Sequence, residues 1–231
     1  MIEAIVLAGG LGTRLRHVVP DEPKVMAPVH GRPFLEIVLA SLARKQCSRV
    51  VLSLGYKSER VVGHFGATFA GMPLAYEIER TPLGTGGALR RALSHCTSDH
   101  VFVLNGDTYL DLEVADIEEQ WHRHRLPIIV AREVDDAARY GRLNVAAERV
   151  TSFVEKGVPG RGLINAGLYV LPSDIAREFP PMEVFSLEQD FLAKVVSRSV
   201  YRCFVSRGYF IDIGIPEDYA RAQKELAETA L

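Results

Sequence analysis

The feature that most constrains this chain is its opening, an apolar run over residues 2–7 that stops at Gly9-Gly10. A short apolar run ended by glycines reads as a buried strand that opens into a loop. The device then recurs. Residues 34–43 carry Phe34, Ile37, Val38 and Leu42 near helical spacing, with Pro33 at a first-turn position. Residues 50–54 read as a second buried strand, 58–65 as a helix, 74–78 as a strand and 85–93 as a helix opened by glycines. Residues 101–104 form a strand that runs into Asn105-Gly106-Asp107; a helix over 114–124 and a strand over 128–131 follow. This alternation predicts an α/β fold, a mostly parallel Rossmann-like (GT-A-like) sheet flanked by helices. Ligands in such sheets sit at the carboxyl ends of the strands. Gly9 and Asp107 both fall there.

The texture changes after residue 135. Residues 143–145, 150–154 and 163–171 look like strands joined by short turns, which predicts a small antiparallel extension. Helical segments are expected over 187–196 and 216–230. The chain shows no internal repeat, low-complexity stretch or flexible linker, so residues 1–231 read as one domain.

Bulk composition limits the function classes. The net charge is -2, so no global basic field attracts nucleic acid or an anionic membrane. Any polyphosphate must be gripped by local groups. Cys47, Cys96 and Cys203 are odd in number and lack metal spacing, and read as reduced structural thiols. Seven histidines, the His122/His124 pair included, show no metal spacing either. The N-terminus is too short and acidic for a signal peptide, and no apolar run reaches membrane-span length. A cytoplasmic protein is expected. Oligomeric state is left open, a homo-oligomer included.

Leu7-Ala8-Gly9-Gly10-Leu11-Gly12-Thr13-Arg14-Leu15 is the most informative stretch. Glycines let a backbone turn with positive φ and let a ligand come close. Their N–H groups can then converge on phosphate oxygens. Arg14 adds a forked, permanently charged donor set, and Lys24, after Pro23, a compact positive charge. A plain glycine turn with two solvated cations is the bland alternative. Neither standard nucleotide fingerprint fits: Leu15 stands where a dinucleotide loop needs its third glycine, and no GK[ST] follows. Asp107, at the end of an apolar strand, is a hard-oxygen ligand suited to magnesium shared with phosphate. Asp212, before Ile213-Gly214, is a second acidic candidate. Asp218 reads as an early-helix acid favoured by the helix dipole.

These motifs, in this order, resemble the sugar-phosphate nucleotidyltransferases. The carrying residues are LAGGLGTRL with Pro23-Lys24, the cluster Thr81-Pro82-Leu83-Gly84-Thr85-Gly86-Gly87, Asn105-Gly106-Asp107, Tyr140-Gly141, Glu155-Lys156, Asn165-Ala166-Gly167-Leu168-Tyr169, and Asp212-Ile213-Gly214-Ile215-Pro216-Glu217-Asp218-Tyr219. The resemblance covers essentially the whole chain. One departure is Val25, where many relatives have proline.

The resemblance implies a nucleotide site made by Leu7, Ala8, Gly9, Gly10, Gly12, Thr13, Arg14, Lys24, Glu79, Gly84, Thr85 and Asp107. It implies sugar-phosphate contacts from Tyr140, Gly141, Glu155, Lys156 and Asn165. Asp107 and Asp212 are the implied Mg²⁺ ligands, and Arg14, Lys24, Asp107, Lys156 and Asp212 the implied catalytic set. Residues 1–131 would then serve the nucleotide and 132–231 the sugar phosphate. An E-K pair is also a common surface ion pair, and an asparagine a common turn cap, so Glu155, Lys156 and Asn165 take their meaning from the others. Glu79 stands near a glutamine position of thymidylyl and uridylyl relatives. A carboxylate only accepts hydrogen bonds, which suits the two donors on guanine's edge; a solvated strand-end glutamate is the alternative.

Within the family the chain resembles most the D-glycero-D-manno-heptose 1-phosphate guanylyltransferases. The stretches Val18-Val19-Pro20-Asp21-Glu22-Pro23-Lys24 and Phe185-Ser186-Leu187-Glu188-Gln189-Asp190-Phe191 carry that likeness. It implies GTP and a heptose 1-phosphate as substrates, pyrophosphate as product, and a GDP-heptose destined for surface polysaccharide. A mannose 1-phosphate, thymidylyl or uridylyl enzyme, a non-catalytic nucleotide-sugar-binding subunit, and a glycosyltransferase are the competing expectations. No attached acyltransferase or isomerase domain is expected.

Overall fold

The computed structural model describes residues 1–154 and 157–226. The first half runs β1 (Glu3–Ala8), the small hairpin β2 (Pro28–Val29) and β3 (Arg32–Pro33), α1 (Phe34–Arg44), β4 (Arg49–Leu54) and α2 (Ser58–Phe65). It continues through β5 (Thr68–Phe69), β6 (Met72–Ile78), α3 (Gly84–Ala92), β7 (His100–Asn105), β8 (Thr108–Leu110) and α4 (Val114–His124). The second half contains β9 (Ile128–Val134), β10 (Arg142–Ala146), β11 (Arg149–Val154), β12 (Gly162–Pro172), α5 (Ala193–Val195), β13 (Arg202–Ser206), β14 (Phe210–Asp212) and α6 (Pro216–Glu225).

Ten strands form one sheet in the order β10-β11-β13-β9-β12-β7-β1-β4-β6-β5. Its centre, β7-β1-β4-β6, is parallel. β12 then runs antiparallel to both β7 and β9. The antiparallel extension expected from the sequence is therefore a continuation of the same sheet, and it is large enough to make the whole sheet mixed. Side chains of β1 alternate between two cores: Ala4, Val6 and Ala8 pack on one face, Ile5 and Leu7 on the other. A strand buried on both faces must be apolar throughout, which is why β1 is legible as a continuous apolar run.

The topology fixes where a ligand can bind. From β1 the chain steps outward through β4 and β6, then returns to β7 on the opposite side of β1. That reversal opens a crevice at the carboxyl ends of β1 and β7. The Gly106 N–H donates to Leu7 O at 2.8 Å, so the two loops are tied at their roots.

Two further features shape the crevice. β14 pairs with β8 and sets Asp212 opposite Thr108, next to Asp107. β12 shifts register between Asn165 and Leu168, and Gly167 takes φ +69° there. A bulge of this type re-aims side chains and recurs beside functional sites.

Several expectations need adjusting. The helix expected over 187–196 starts as a π-helical turn at Leu187–Leu192 before α5. The Ser186 hydroxyl accepts from Gln189 N–H at 3.1 Å, and the Asp190 carboxylate accepts from Ser186 N–H at 2.8 Å. Short polar side chains compete in this way for backbone groups and favour irregular first turns. β13, an inner strand, was not anticipated: it is only five residues long and begins with Arg202, so it lacks an apolar run. The last helix runs over Pro216–Glu225, and the end expected for it lies outside the described residues. Among the described residues, no helix is long and apolar enough to cross a membrane. Burial pushes the thiols of Cys47 and Cys203 up to about 11 and that of Cys96 to about 12, as inert structural thiols require.

Gly208, just before β14, has its Cα against Asp111: an added Cβ would lie 1.7 Å from Asp111 O. Gly208→Ala is expected to force β14 away from β8 and to destabilise the chain by about 1–3 kcal/mol. Urea denaturation with an unchanged m-value checks this.

Candidate functional site

The loop after β1 is built on close backbone approaches. A Cβ on Gly55 would lie 2.6 Å from Gly9 O, and one on Gly9 would lie 2.5 Å from Glu79 Oε1. Gly12 has φ +61°, and a Cβ there would meet Lys24 Cβ at 2.9 Å. Gly12 thus lets the loop close over Lys24. Leu15, 1% exposed, anchors the far end of the turn, while Thr13 and Arg14 stay exposed. No ion pair engages Arg14 among the described residues, so its guanidinium is available to an anion. Nothing lies within 4 Å of a Cβ on Gly10, whose backbone faces the open cleft.

Lys24, Asp107 and Asp212 form the electrostatic centre. Lys24 Nζ is ion-paired with Asp107 Oδ2. Ile213 N–H donates to Asp107 O at 2.9 Å, and Asp212 accepts from Gly214 N–H. A Cβ on Gly214 would lie 2.6 Å from Asp212 Oδ1 and 3.4 Å from Lys24 Nζ, so all three groups share one small space. Burial, and next the charge of Asp107, push the Asp212 carboxyl up to about 6 despite Lys24. A half-buried carboxylate pair with this residual repulsion suits a hard cation. No three His, Cys, Asp or Glu side chains converge among the described residues. An ion at Asp107 and Asp212 would therefore be completed by phosphate oxygens and water, the environment magnesium prefers.

Beside this centre lies a cleft of about 280 Å³, lined by Leu7, Ala8, Gly9, Gly10, Lys24, Glu79, Gly84, Thr85 and Asp107, with Asn105 at its floor. Small-molecule sites span roughly 300–1,000 Å³. A cleft just below that range suits a base and ribose, with phosphates extending along the loop. Glu79 lines it, half-buried. Burial raises its carboxyl, and the Leu83 N–H donates to Oε2 at 2.9 Å. Glu79 therefore also braces the turn into α3.

The second glycine cluster lines the cleft through Gly84 and also packs against a distant segment. Cβ atoms on Gly84, Gly86 and Gly87 would lie 2.5 Å from Phe185 O, 2.1 Å from Phe185 Cε2 and 2.4 Å from Glu183 O. These glycines admit the 183–185 segment against α3. Thr85 is turned to the same segment: its Oγ1 donates to Glu188 Oε2 at 2.7 Å and accepts from Leu187 N–H at 2.8 Å.

On the far side of the acidic pair, Asn165 N–H donates to Gly141 O at 2.9 Å. That bond joins two of the sequence-derived sugar-side motifs. The Tyr140 ring stands edge-on to Phe210 at 6.0 Å. Glu155 and Lys156 lie outside the described residues.

Asp218 lies in the first turn of α6, as the dipole reading expects, and has a second role. It is 3% exposed and clamped by Arg139 and by Arg221 at 3.3 Å. A buried carboxylate needs such partners far more than it needs a helix dipole. Arg139, Asn105 and Glu188 have no site role in the sequence reading, although Asn105 and Glu188 stand within motifs that it quotes. Asn105 adjoins Asp107 on the same strand end, a signal that was available; the other two are placed by long-range packing.

A Rossmann-like sheet whose switch-point crevice holds a glycine loop, two acidic residues and a lysine defines a nucleotide-handling transferase. The chain belongs to the nucleotidyl transferase family, whose model matches residues 3–229. It is 42% identical over 229 residues to the D-glycero-alpha-D-manno-heptose 1-phosphate guanylyltransferase of Aneurinibacillus thermoaerophilus, covering 97% of this chain and 98% of that one. Identity to the enzyme of the same name from Campylobacter jejuni is 39% over 219 residues, covering 94% and 97%. The crystal structure of HddC from Yersinia pseudotuberculosis complexed with GMP-PN superposes with TM-score 0.88 at 39% identity, covering 98% of this chain and 100% of that one. A UTP-bound UGPase from Acinetobacter baumannii, 21% identical with TM-score 0.78, shares the fold.

The raised Asp212 carboxyl gives a pH-dependent prediction. Its folded value of about 6 lies above the ordinary 3.8, so the ionised group opposes folding above pH 6, and the penalty vanishes as pH falls towards 4. In EDTA, Asp212→Asn is expected to raise the thermal midpoint at pH 8 and to lose that advantage near pH 4. Melting curves across this range check it; a midpoint lowered at pH 8 refutes it.

Proposed function

We propose that this chain transfers a guanylyl group from GTP to a sugar 1-phosphate, D-glycero-α-D-manno-heptose 1-phosphate, giving GDP-heptose and pyrophosphate. The observation that carries the reading is the convergence of Lys24, Asp107 and Asp212 beside a cleft lined by the first glycine loop and Glu79. The near full-length likeness to two heptose 1-phosphate guanylyltransferases, and to a structure holding GMP-PN, supports both substrates. A cytoplasmic location and a role in surface polysaccharide synthesis belong to the same reading, because GTP and a sugar phosphate are the reactants.

The sugar phosphate oxygen attacks the α-phosphorus in line, and pyrophosphate leaves. That nucleophile is already an anion near neutral pH, so no strong base is required. The obstacle is repulsion between two anions, and positioning and charge neutralisation lower it. Gly10 and Gly12 present backbone N–H groups to the phosphates. Arg14 and Lys24 stabilise charge on the pyrophosphate side. Lys156 holds the phosphate of the incoming sugar, and Glu155, Tyr140, Gly141 and Asn165 orient its hydroxyls. Asp107 and Asp212 would hold Mg²⁺, which would supply charge neutralisation for the reacting phosphates. Glu79 accepts from guanine through Oε1 while Oε2 keeps its bond to Leu83. This gives the site a stated preference for a base with adjacent donors.

Pyrophosphate release in a grid of nucleoside triphosphates against sugar 1-phosphates tests the reaction. Release is expected with GTP and the heptose phosphate. Release with a different pair keeps the reaction and overturns the specificity. Asp107→Ala is expected to lower turnover by about two orders of magnitude or more, and near-normal turnover refutes its role. Glu79→Gln is expected to reduce the preference for GTP over UTP by about tenfold, the worth of one hydrogen bond. Equal kcat/KM ratios in variant and parent would exclude base reading by Glu79.

A further inference from the structure

A chain of hydrogen bonds crosses from the nucleotide side of the cleft to the sugar side, and Glu188 lies at its centre. Glu188 Oε2 accepts from Thr85 Oγ1 at 2.7 Å and from Ser186 Oγ at 3.0 Å. Its Oε1 accepts from the Tyr169 hydroxyl at 3.3 Å. Tyr169 OH accepts in turn from Asn165 Nδ2 at 2.7 Å, and Asn165 Oδ1 accepts from Gly167 N–H at 3.1 Å.

The directions of these bonds are forced. A carboxylate has no proton to give, so the hydroxyls of Thr85, Ser186 and Tyr169 all point at Glu188. Tyr169 is 0% exposed, and its hydroxyl hydrogen has no water to turn to. Burial and the Glu188 charge raise the phenol well above its ordinary range and keep that hydrogen in place. With its hydrogen committed to Glu188, the Tyr169 oxygen can only accept. It therefore selects the NH₂ end of the Asn165 amide, while Gly167 N–H selects the carbonyl end. Flipping the amide would set donor against donor at Gly167 and break both bonds. Among the described residues, one N–H and one carbonyl lone pair of Asn165 have no partner. They sit by the β12 bulge, where a Cβ on Gly167 would lie 2.6 Å from the Nδ2 of the cleft residue Asn105.

We infer that Glu188 is a positioning residue: through Tyr169 it fixes the face that the Asn165 amide turns to the sugar, and so decides which hydroxyls that amide accepts from and donates to. The inference rests on the sugar-phosphate reading of Asn165. It adds a residue on which sugar selectivity depends without contact with the sugar. It also explains why Tyr169 carries a hydroxyl at a fully buried site where phenylalanine would pack as well.

The test uses the full chain and two readouts. The first is steady-state kinetics at saturating GTP with the heptose 1-phosphate and its monodeoxy analogues. Tyr169→Phe keeps the ring and frees the amide. Its KM for the sugar phosphate is expected to rise about tenfold, the worth of one hydrogen bond, while KM for GTP and kcat stay within about twofold. Discrimination against one monodeoxy analogue is expected to disappear, a change that loosened packing alone would not make. Glu188→Gln, which can no longer accept from all three hydroxyls, is expected to raise KM for both substrates. Unchanged sugar KM and unchanged analogue selectivity in both variants would overturn the inference.

The second readout is the side-chain amide NMR signal of Asn165 in the ligand-free chain. Its two N–H resonances are expected to move in Tyr169→Phe and in Glu188→Gln, and coincidence with the parent spectrum would overturn the inference without reference to activity. A parent that turns over no sugar phosphate defeats the functional reading instead, and the NMR result still decides whether Glu188 orients the amide.

Discussion

The pairing of β14 with β8 is the interaction on which the site depends. It brings Asp212 beside Asp107 from segments far apart in sequence, against their mutual repulsion. Lys24 offsets that repulsion only in part, since the Asp212 carboxyl stays raised. The unfavourable charge is held by the apolar packing beneath it, where Tyr109, Ile211 and Ile213 are almost wholly buried. Local strain of this kind persists only where the surrounding structure over-determines it, and it is characteristic of functional sites. Each other part of the site is arranged around this spot: the glycine loop that admits Lys24, the switch point that delivers Asp107, and the bulge that turns Asn165.

One continuous sheet carries all of these parts. The parallel strands aim two loops at a single crevice, as their chain reversal requires. The antiparallel strands extend the floor beyond it and add side chains from β12. β12 pairs directly with β7, so the strand that leads into Asp107 and the strand that carries Asn165 share backbone hydrogen bonds. The two halves of the cleft are consequently set by a common register.

What was legible in the sequence is what local chemistry dictates. β1, β4 and β7 are buried on both faces, so their apolar runs stand out, and the residues that follow them fall at strand ends by necessity. Gly9, Gly12, Arg14, Lys24 and Asp107 could be named on that ground. The resemblance supplied Tyr140, Gly141 and Asn165, which periodicity does not mark, and gave the acidic candidate Asp212 its metal role. Less visible was whatever depends on contacts between distant segments. Gly84, Gly86 and Gly87 read as the opening of a helix, and only the folded chain shows that their missing side chains also admit Phe185 and Glu183. Asp218 read as a helix-dipole acid, and a buried clamp of two arginines also holds it. β13 lacks an apolar run, and the π turn at 187–192 follows from competition between Ser186 and Asp190 for backbone groups.

The glycine ridge on α3 has a consequence for engineering. Phe185 fills space that three glycines leave open, and its backbone is hydrogen-bonded on both sides to the start of that helix: Phe185 N–H donates to Leu83 O, and Gly86 N–H donates to Phe185 O. Neither segment has a shape of its own that a foreign partner could match. Chimeras that import α3 from a relative of different base preference must therefore import the 183–188 segment with it. Libraries that vary the two as a unit will retain folded members where libraries that vary either alone will not.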